Sequence, residues 1–192
     1  MPRTSDAEKR ALRAELRERR RNLTPTEQDK AGAGILQNLQ SLVTALGARS
    51  VSCYLSTATE PNTRPFIDWA LGASIRVLFP ISREDGLLDW TAGEQDIEKA
   101  GLWGIPEAVG DLLGPSAIND VDLMIVPACA VDVQGTRLGW GRGYFDKTLG
   151  SLENRPPVYA VVFDNEVLPK VPKEAHDQPV NGVVTPGRIL DF

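Results

Sequence analysis

Gly135, Gly139, Gly141 and Gly143 fall within nine residues of one stretch, Gly135-Thr-Arg-Leu-Gly-Trp-Gly-Arg-Gly-Tyr-Phe-Asp146, at the end of an apolar run. Glycine permits positive φ and lets backbone N–H groups approach a ligand closely. Successive amides turned inward form an anion nest, and a following helix adds its positive end. Arg137 and Arg142 supply fixed charge in planar forks suited to phosphate oxygens. Asp146 closes the stretch with the hard oxygen ligand that Mg²⁺ prefers beside nucleotide phosphates. Spacing alone is also compatible with a tight surface turn, but the arginines, the aspartate and the strand-to-helix setting together favour a phosphate cradle. Neither the P-loop pattern nor the dinucleotide fingerprint is present.

Other segments carry weaker signals. Lys9 and Arg13 lie one helical turn apart, so they can converge on one anion, although an ordinary solvated basic face has the same spacing. In Ser56-Thr-Ala-Thr-Glu60-Pro-Asn-Thr63, Glu60 can accept from a ring N–H or amino group, or stand solvated while Asn62 or Thr63 caps the next helix. Trp103 and Ile105 can wall a slot for a flat ring or anchor their loop on the core. Asp177 is a candidate second carboxylate for a metal, or a solvent-facing loop residue. His176 is the lone histidine, so a hydrolytic triad would depend on it.

These residues need elements to position them. Ser5 and Glu8 have the spacing of a capping box, which predicts a helix to about Leu23 with Leu12, Leu16 and Leu23 on one stripe, flanked by Lys9, Arg13 and Arg20. Thr24-Pro-Thr-Glu27 starts a second helix, with Gly47 as its C-cap. Short β-branched runs at 50–56, 74–82, 122–132, 157–164 and 180–185 alternate with helices near 63–71 and 144–149. The stretch 85–118 is less regular and predicts a small antiparallel excursion. The alternation implies an α/β fold of three layers, a mostly parallel sheet with helices on both faces. Loops at strand C-termini are where such sheets bind ligands.

The chain has 192 residues, 42% apolar and 24% charged, which suits a single globular domain over residues 1–192. Residues 1–23 hold eight basic and four acidic residues, whereas the remainder holds 13 and 22, within a net charge of −5. That balance, and the lack of aromatics in the basic segment, argue against nucleic acid as a partner. No apolar run is long enough to span a bilayer, and the N-terminus shows no secretory pattern. Cys53 and Cys129 sit in apolar runs and read as reduced thiols of a cytoplasmic protein.

Taken together, Lys9-Arg-x-Leu-Arg13, Glu60-x-x-Thr63 and Arg137-Leu-Gly-x-Gly-x-Gly-Tyr-Phe-Asp146 resemble the pattern of the 5-formyltetrahydrofolate cyclo-ligase family, with Trp103-Gly-Ile-Pro-Glu107 similar to its mid-chain loop. The resemblance spans residue 9 to about 185 and implies an enzyme that converts 5-formyltetrahydrofolate and MgATP to 5,10-methenyltetrahydrofolate, ADP and phosphate. The implied scaffold is that of sugar-phosphate isomerases and CoA-transferases. Phosphorylation of the formyl oxygen would be followed by attack of N10. Lys9, Arg10 and Arg13 would hold ATP. Arg137, Leu138, Gly139, Trp140, Gly141, Arg142, Gly143, Tyr144 and Phe145 would wrap the nucleotide. Lys9 and Arg142 would be the catalytic charges. Leu55, Glu60 and Trp103 would contact the folate, with the Trp140–Tyr144 stretch between the substrates. Asp146 and Asp177 would bind Mg²⁺. A monomer with small-molecule substrates is expected. Arg142 stands where lysine is common in the family, Trp140 where arginine is common, and Pro61 where a small apolar residue is usual. A non-catalytic folate or nucleotide binder on the same scaffold is the principal alternative, and an RNA-associated protein the lesser one.

Overall fold

In a computed structural model, which describes residues 4–192, the first helix α1 (Thr4–Arg21) already contains Ser5. Ser5 is therefore not its cap. A capping residue must be non-helical to turn its oxygen onto the first amides, whereas the Ser5 hydroxyl is buried and unpartnered. The position before the helix lies outside the described residues. The second helix α2 (Pro25–Leu46) begins as its sequence predicts: Thr24 and Glu27 form a reciprocal capping box, and Gly47 ends it at φ 61°. Ile35, Leu39 and Leu42 are buried, but Leu46 is not.

Next come β1 (Ser50–Ser52), α3 (Arg64–Gly72), β2 (Arg76–Ser82), β3 (Leu88–Thr91), β4 (Glu94–Ala100), β5 (Pro106–Val109) and β6 (Leu112–Leu113). The second half holds β7 (Leu123–Pro127), β8 (Ala130–Asp132), β9 (Arg137–Leu138), α4 (Tyr144–Ser151), β10 (Val158–Val161), β11 (Val167–Leu168), β12 (Gly182–Val184) and β13 (Ile189–Asp191). An eight-stranded sheet runs β13-β12-β10-β7-β1-β2-β3-β6. The strands from β12 to β2 are parallel, and β13, β3 and β6 add antiparallel edges. The expected excursion is real: β3 and β6 extend the sheet, while β4 and β5 form a separate antiparallel ribbon.

Alternation along the strands builds the two faces. Val51, Val77, Phe79, Ile125 and Val161 pack under α2 and α3, with Phe66 and Ile67. Leu78, Met124, Val126, Val158 and Ala160 pack on the opposite face against Leu149 of α4 and Ile118 of the 3₁₀ turn Pro115–Asp120. This is the three-layer arrangement expected.

The run 122–132 is not one strand. Pro127 lacks the N–H that would extend the ladder, and the chain leaves the main sheet there. Cys129 N–H donates to Leu138 O at 2.7 Å, starting a second, three-stranded sheet β11-β8-β9. Leu12 and Leu16 dock α1 onto that small sheet, beside Cys129, Ala130 and Leu138. A basic helix thereby lies along the C-terminal edge of the parallel strands.

Candidate functional site

The carbonyls freed where β7 ends are taken by arginines. Arg137 Nη1 donates to Pro127 O at 3.0 Å, and Arg20 Nη2 to Ala128 O at 2.9 Å. Arg20 also holds Glu166 through both forks, at 2.7 and 2.8 Å, with both side chains 2% exposed. Burial opposes the Arg20 charge, but Glu166 outweighs it and holds the guanidinium above its ordinary value. Its Cζ lies 5.0 Å from the Trp140 ring centroid and 5.4 Å from that of Phe163, while Arg17 Cζ lies 5.4 Å from that of Trp140. This packing ties α1 to the glycine loop.

Within that loop, Gly135 does a different job from its neighbours. It turns the β8–β9 hairpin at φ 83°, where Asp132 Oδ1 accepts from Gln134 and Thr136 N–H at 2.9 Å. It does not line the cleft; Gly139, Gly141 and Gly143 do. Gly141 and Gly143 adopt φ of 97° and 74°, the left-handed region that disfavours side chains. Arg13 Nε donates to Gly139 O at 2.7 Å, so α1 and the loop close on each other.

Lys9, with a side chain 6% exposed, places its Nζ 2.6 Å from Asp177 Oδ2 and 2.8 Å from Glu174 Oε2. Burial opposes its charge, but the two carboxylates raise it above the ordinary lysine value. Asp177 is likewise held below its ordinary value despite burial, by Lys9 and the Glu174 N–H. Asp146 Oδ1 accepts from Gln178 N–H at 3.0 Å, which sets it beside the same turn, and its Oδ2 lies 3.3 Å from Arg137 Nη2. Burial pulls Arg137 below the ordinary guanidinium value even so. Among the described residues, Glu174, His176 and Asp177 bring ligand atoms within 4.8 Å of one another.

Across the cleft, the chain after β1 forms a second wall. Thr63 Oγ1 donates to Tyr54 O at 2.8 Å, and Glu60 Oε2 accepts from Thr57 N–H at 2.8 Å. Glu60 is half-buried rather than solvated and shapes its own turn through that oxygen, while Thr63 takes the N-cap position of α3 without a side-chain cap hydrogen bond and Asn62 Oδ1 accepts from Arg64 N–H at 3.1 Å. Trp103 is not anchored in the core; it is 65% exposed at the cleft mouth.

These parts enclose one cleft of about 1050 Å³. It gathers Lys9, Arg13, Leu55, Glu60, Trp103, the 137–146 stretch and Asp177, from five separated segments. Arg10 is the exception, exposed and outside the lining, because α1 turns it about 100° away from Lys9. Glu174, Arg20 and Tyr54 also line the cleft without having been singled out for it. No local pattern marks Glu174, whose place in the cleft comes from its pairing with Lys9. Cys53 and Cys129 are buried and their thiols pushed up to about 12, which leaves no thiolate nucleophile at either. No helix among the described residues is long and apolar enough to cross a membrane.

A profile of the 5-formyltetrahydrofolate cyclo-ligase family matches residues 5–186. The 5-formyltetrahydrofolate cyclo-ligase of Mycolicibacterium smegmatis is 32% identical over 189 residues, covering 96% of each chain. That of Escherichia coli K12 is 30% identical over 183 residues, covering 92% of this chain and all of the relative. The NMR structure of Aquifex aeolicus 5,10-methenyltetrahydrofolate synthetase superposes with a TM-score of 0.79 at 27% identity, over 95% of this chain and 92% of that one.

Proposed function

The chain belongs to the 5-formyltetrahydrofolate cyclo-ligase family, and we propose on that premise how its cleft carries out the reaction. The enzyme converts 5-formyltetrahydrofolate to 5,10-methenyltetrahydrofolate at the expense of ATP. The formyl oxygen is a poor leaving group, so the γ-phosphoryl is first transferred to it and ADP departs. N10 then attacks the activated carbon, the carbon–oxygen bond breaks, phosphate leaves, and N10 gives up its proton. Such chemistry depends on positioning and charge neutralisation more than on an enzymic nucleophile.

In this reading Lys9 and Arg13 hold the phosphates and the 137–145 loop wraps the nucleotide. Arg142 stabilises charge on the transferring phosphoryl group. Leu55, Glu60 and Trp103 form the folate side, with Glu60 accepting from a pterin N–H. The observation that carries the reading is the shared cleft: a cationic helix, a glycine loop and a carboxylate-bearing loop line one space.

Magnesium fits the donors present. Lys9 and Arg137 are already faced by Glu174, Asp177 and Asp146, and Arg13 donates to Gly139 O, so a triphosphate would bring negative charge that these groups leave only partly compensated. Hard carboxylate oxygens suit Mg²⁺, which usually takes one or two of them alongside substrate phosphates. Asp146 and Asp177 are the proposed ligands, and the ion when bound would neutralise phosphate charge. A reducing, cytoplasmic setting is supported by the unpaired, buried Cys53 and Cys129.

Purified protein mixed with 5-formyltetrahydrofolate and MgATP should develop the near-ultraviolet band of the methenyl product. Omitting ATP or chelating magnesium should each prevent it. Arg142→Ala should abolish turnover without loss of melting temperature; near-normal activity would remove Arg142 from its role.

A further inference from the structure

Leu102-Trp103-Gly104 forms a single 3₁₀ turn where the chain passes from β4 to β5. Trp103 sits at φ 65°, ψ 17°, a left-handed conformation that is strained for a non-glycine residue. An indole that is 65% exposed gains little from burial to offset that strain. What it gains instead is a set of contacts across the cleft mouth. The Arg142 guanidinium lies 3.8 Å from the ring centroid. The indole N–H donates to Tyr144 Oη at 3.3 Å, and that hydroxyl donates to Arg83 O at 3.1 Å. Trp103 is thus tied at its edge to the start of α4 and covered on one face by Arg142.

Arg142 and a flat substrate ring compete for that face. A separation of 3.8 Å is one layer of stacking and leaves no room for a pterin between guanidinium and indole. A pterin stacked on this face of Trp103 must displace Arg142, and the displaced cation is then free to follow the phosphoryl group. We propose that Trp103 is a positioning residue that parks Arg142 until the folate arrives, so that ATP is spared from hydrolysis in the absence of its co-substrate. The inference rests on the assignment of Arg142 to the transferring phosphoryl group given above.

The side reaction so suppressed is simple. Water attacks the γ-phosphorus, the bond to the β–γ bridging oxygen breaks with its electrons leaving on ADP, and the water proton passes to solvent. An exposed to partly desolvated cation–π contact corresponds to roughly a 2- to 30-fold change in the population of free Arg142.

The test measures phosphate release from MgATP without folate. Trp103→Leu, which removes the ring, should raise that rate by about 2- to 30-fold, and Trp103→Phe should fall between Leu and wild type. The double variant Trp103→Leu/Arg142→Ala should return to the wild-type rate or below. A support role for the loop would not raise ATP hydrolysis, and melting curves check that the variants fold; if Trp103→Leu does not, Trp103→Phe carries the test. An unchanged or lower rate in Trp103→Leu overturns the proposal, as does a rise that survives the loss of Arg142. Methenyl formation by the wild-type preparation is followed in parallel. Its failure would remove the functional reading itself, whereas its success with flat folate-independent hydrolysis would remove only the parking role.

Discussion

Replacing Glu166 by glutamine should unfold this protein far more readily than its conservative appearance suggests. Glu166 and Arg20 are each 2% exposed, joined by hydrogen bonds of 2.7 and 2.8 Å. Glu166 Oε2 also accepts from Phe163 N–H at 2.8 Å. Removing the negative charge leaves the guanidinium in a dry site with only Ala128 O and two ring faces to compensate it. Breaking a buried pair from one side costs about 3–5 kcal/mol, and the glutamine carbonyl retains part of the bonding, so about 3 kcal/mol is expected. For a chain of this size, each kcal/mol lowers Tm by about 2–4 °C, which gives a fall of about 6–12 °C. Thermal and urea unfolding of wild type and variant measure it. Glu15→Gln is the internal control: its partner Arg19 is one helical turn away, both side chains are more than half exposed, and a loss of about 0.3–0.5 kcal/mol is expected. Removing both members of the buried pair, as Arg20→Met/Glu166→Leu, should cost less than Glu166→Gln alone, because no unpaired charge remains. A loss for Glu166→Gln no larger than that for Glu15→Gln would refute the reasoning.

Gly141→Ala forces a side chain onto a φ of 97° and places its Cβ 3.4 Å from the Arg13 guanidinium carbon. A strain of about 1–2 kcal/mol should raise the ATP KM by roughly 5- to 30-fold with a smaller effect on folate, as separate titrations of the two substrates would show. The Lys9–Asp177 pair predicts the pH dependence of stability. Asp177 is held below its ordinary 3.8 despite burial, so its contribution is complete above that pH and is lost as the pH falls through the lower folded value. Lys9 is raised above 10.5 despite burial, so its contribution is present below that pH and lost as the pH rises through the folded value. Urea midpoints should therefore fall on acidification more steeply in wild type than in Asp177→Asn; parallel curves would count against the pairing. The buried, unpartnered Tyr54 hydroxyl predicts that Tyr54→Phe leaves Tm unchanged or raises it, since no hydrogen bond is lost. A clear drop in Tm would mean that the hydroxyl has a partner.

The elements legible in the sequence were those whose local signal and tertiary role agree. Thr24 and Glu27 cap α2 in the way their spacing requires, and the β-branched runs became the parallel strands. Ser5 misled because a capping box is a pattern of residue types, whereas a cap is a backbone conformation that four residues cannot specify. The run 122–132 misled differently. Its hydropathy is continuous because both halves are buried, but they are buried in different sheets. Only Pro127 marked the change, through its missing donor.

The site itself was partly legible because its reactive groups stand in short motifs, while the groups that hold them do not. Lys9, Glu60 and the glycine loop could be named one segment at a time. Glu166 and Glu174, far from α1 in sequence, could not, since each matters only as the partner of an α1 cation. The same distinction explains Arg10. A residue next to Lys9 in sequence is more than a quarter of a turn away on a helix, so Arg10 shares the motif but not the cleft. What converts the motif into a site is the exit of the chain from the main sheet at Pro127. That exit creates the small sheet on which α1 docks, and it frees the two carbonyls that Arg20 and Arg137 bind. The basic helix therefore reaches the strand C-termini through its packing, and the positions that fix that packing are the ones where a conservative change should do the most harm.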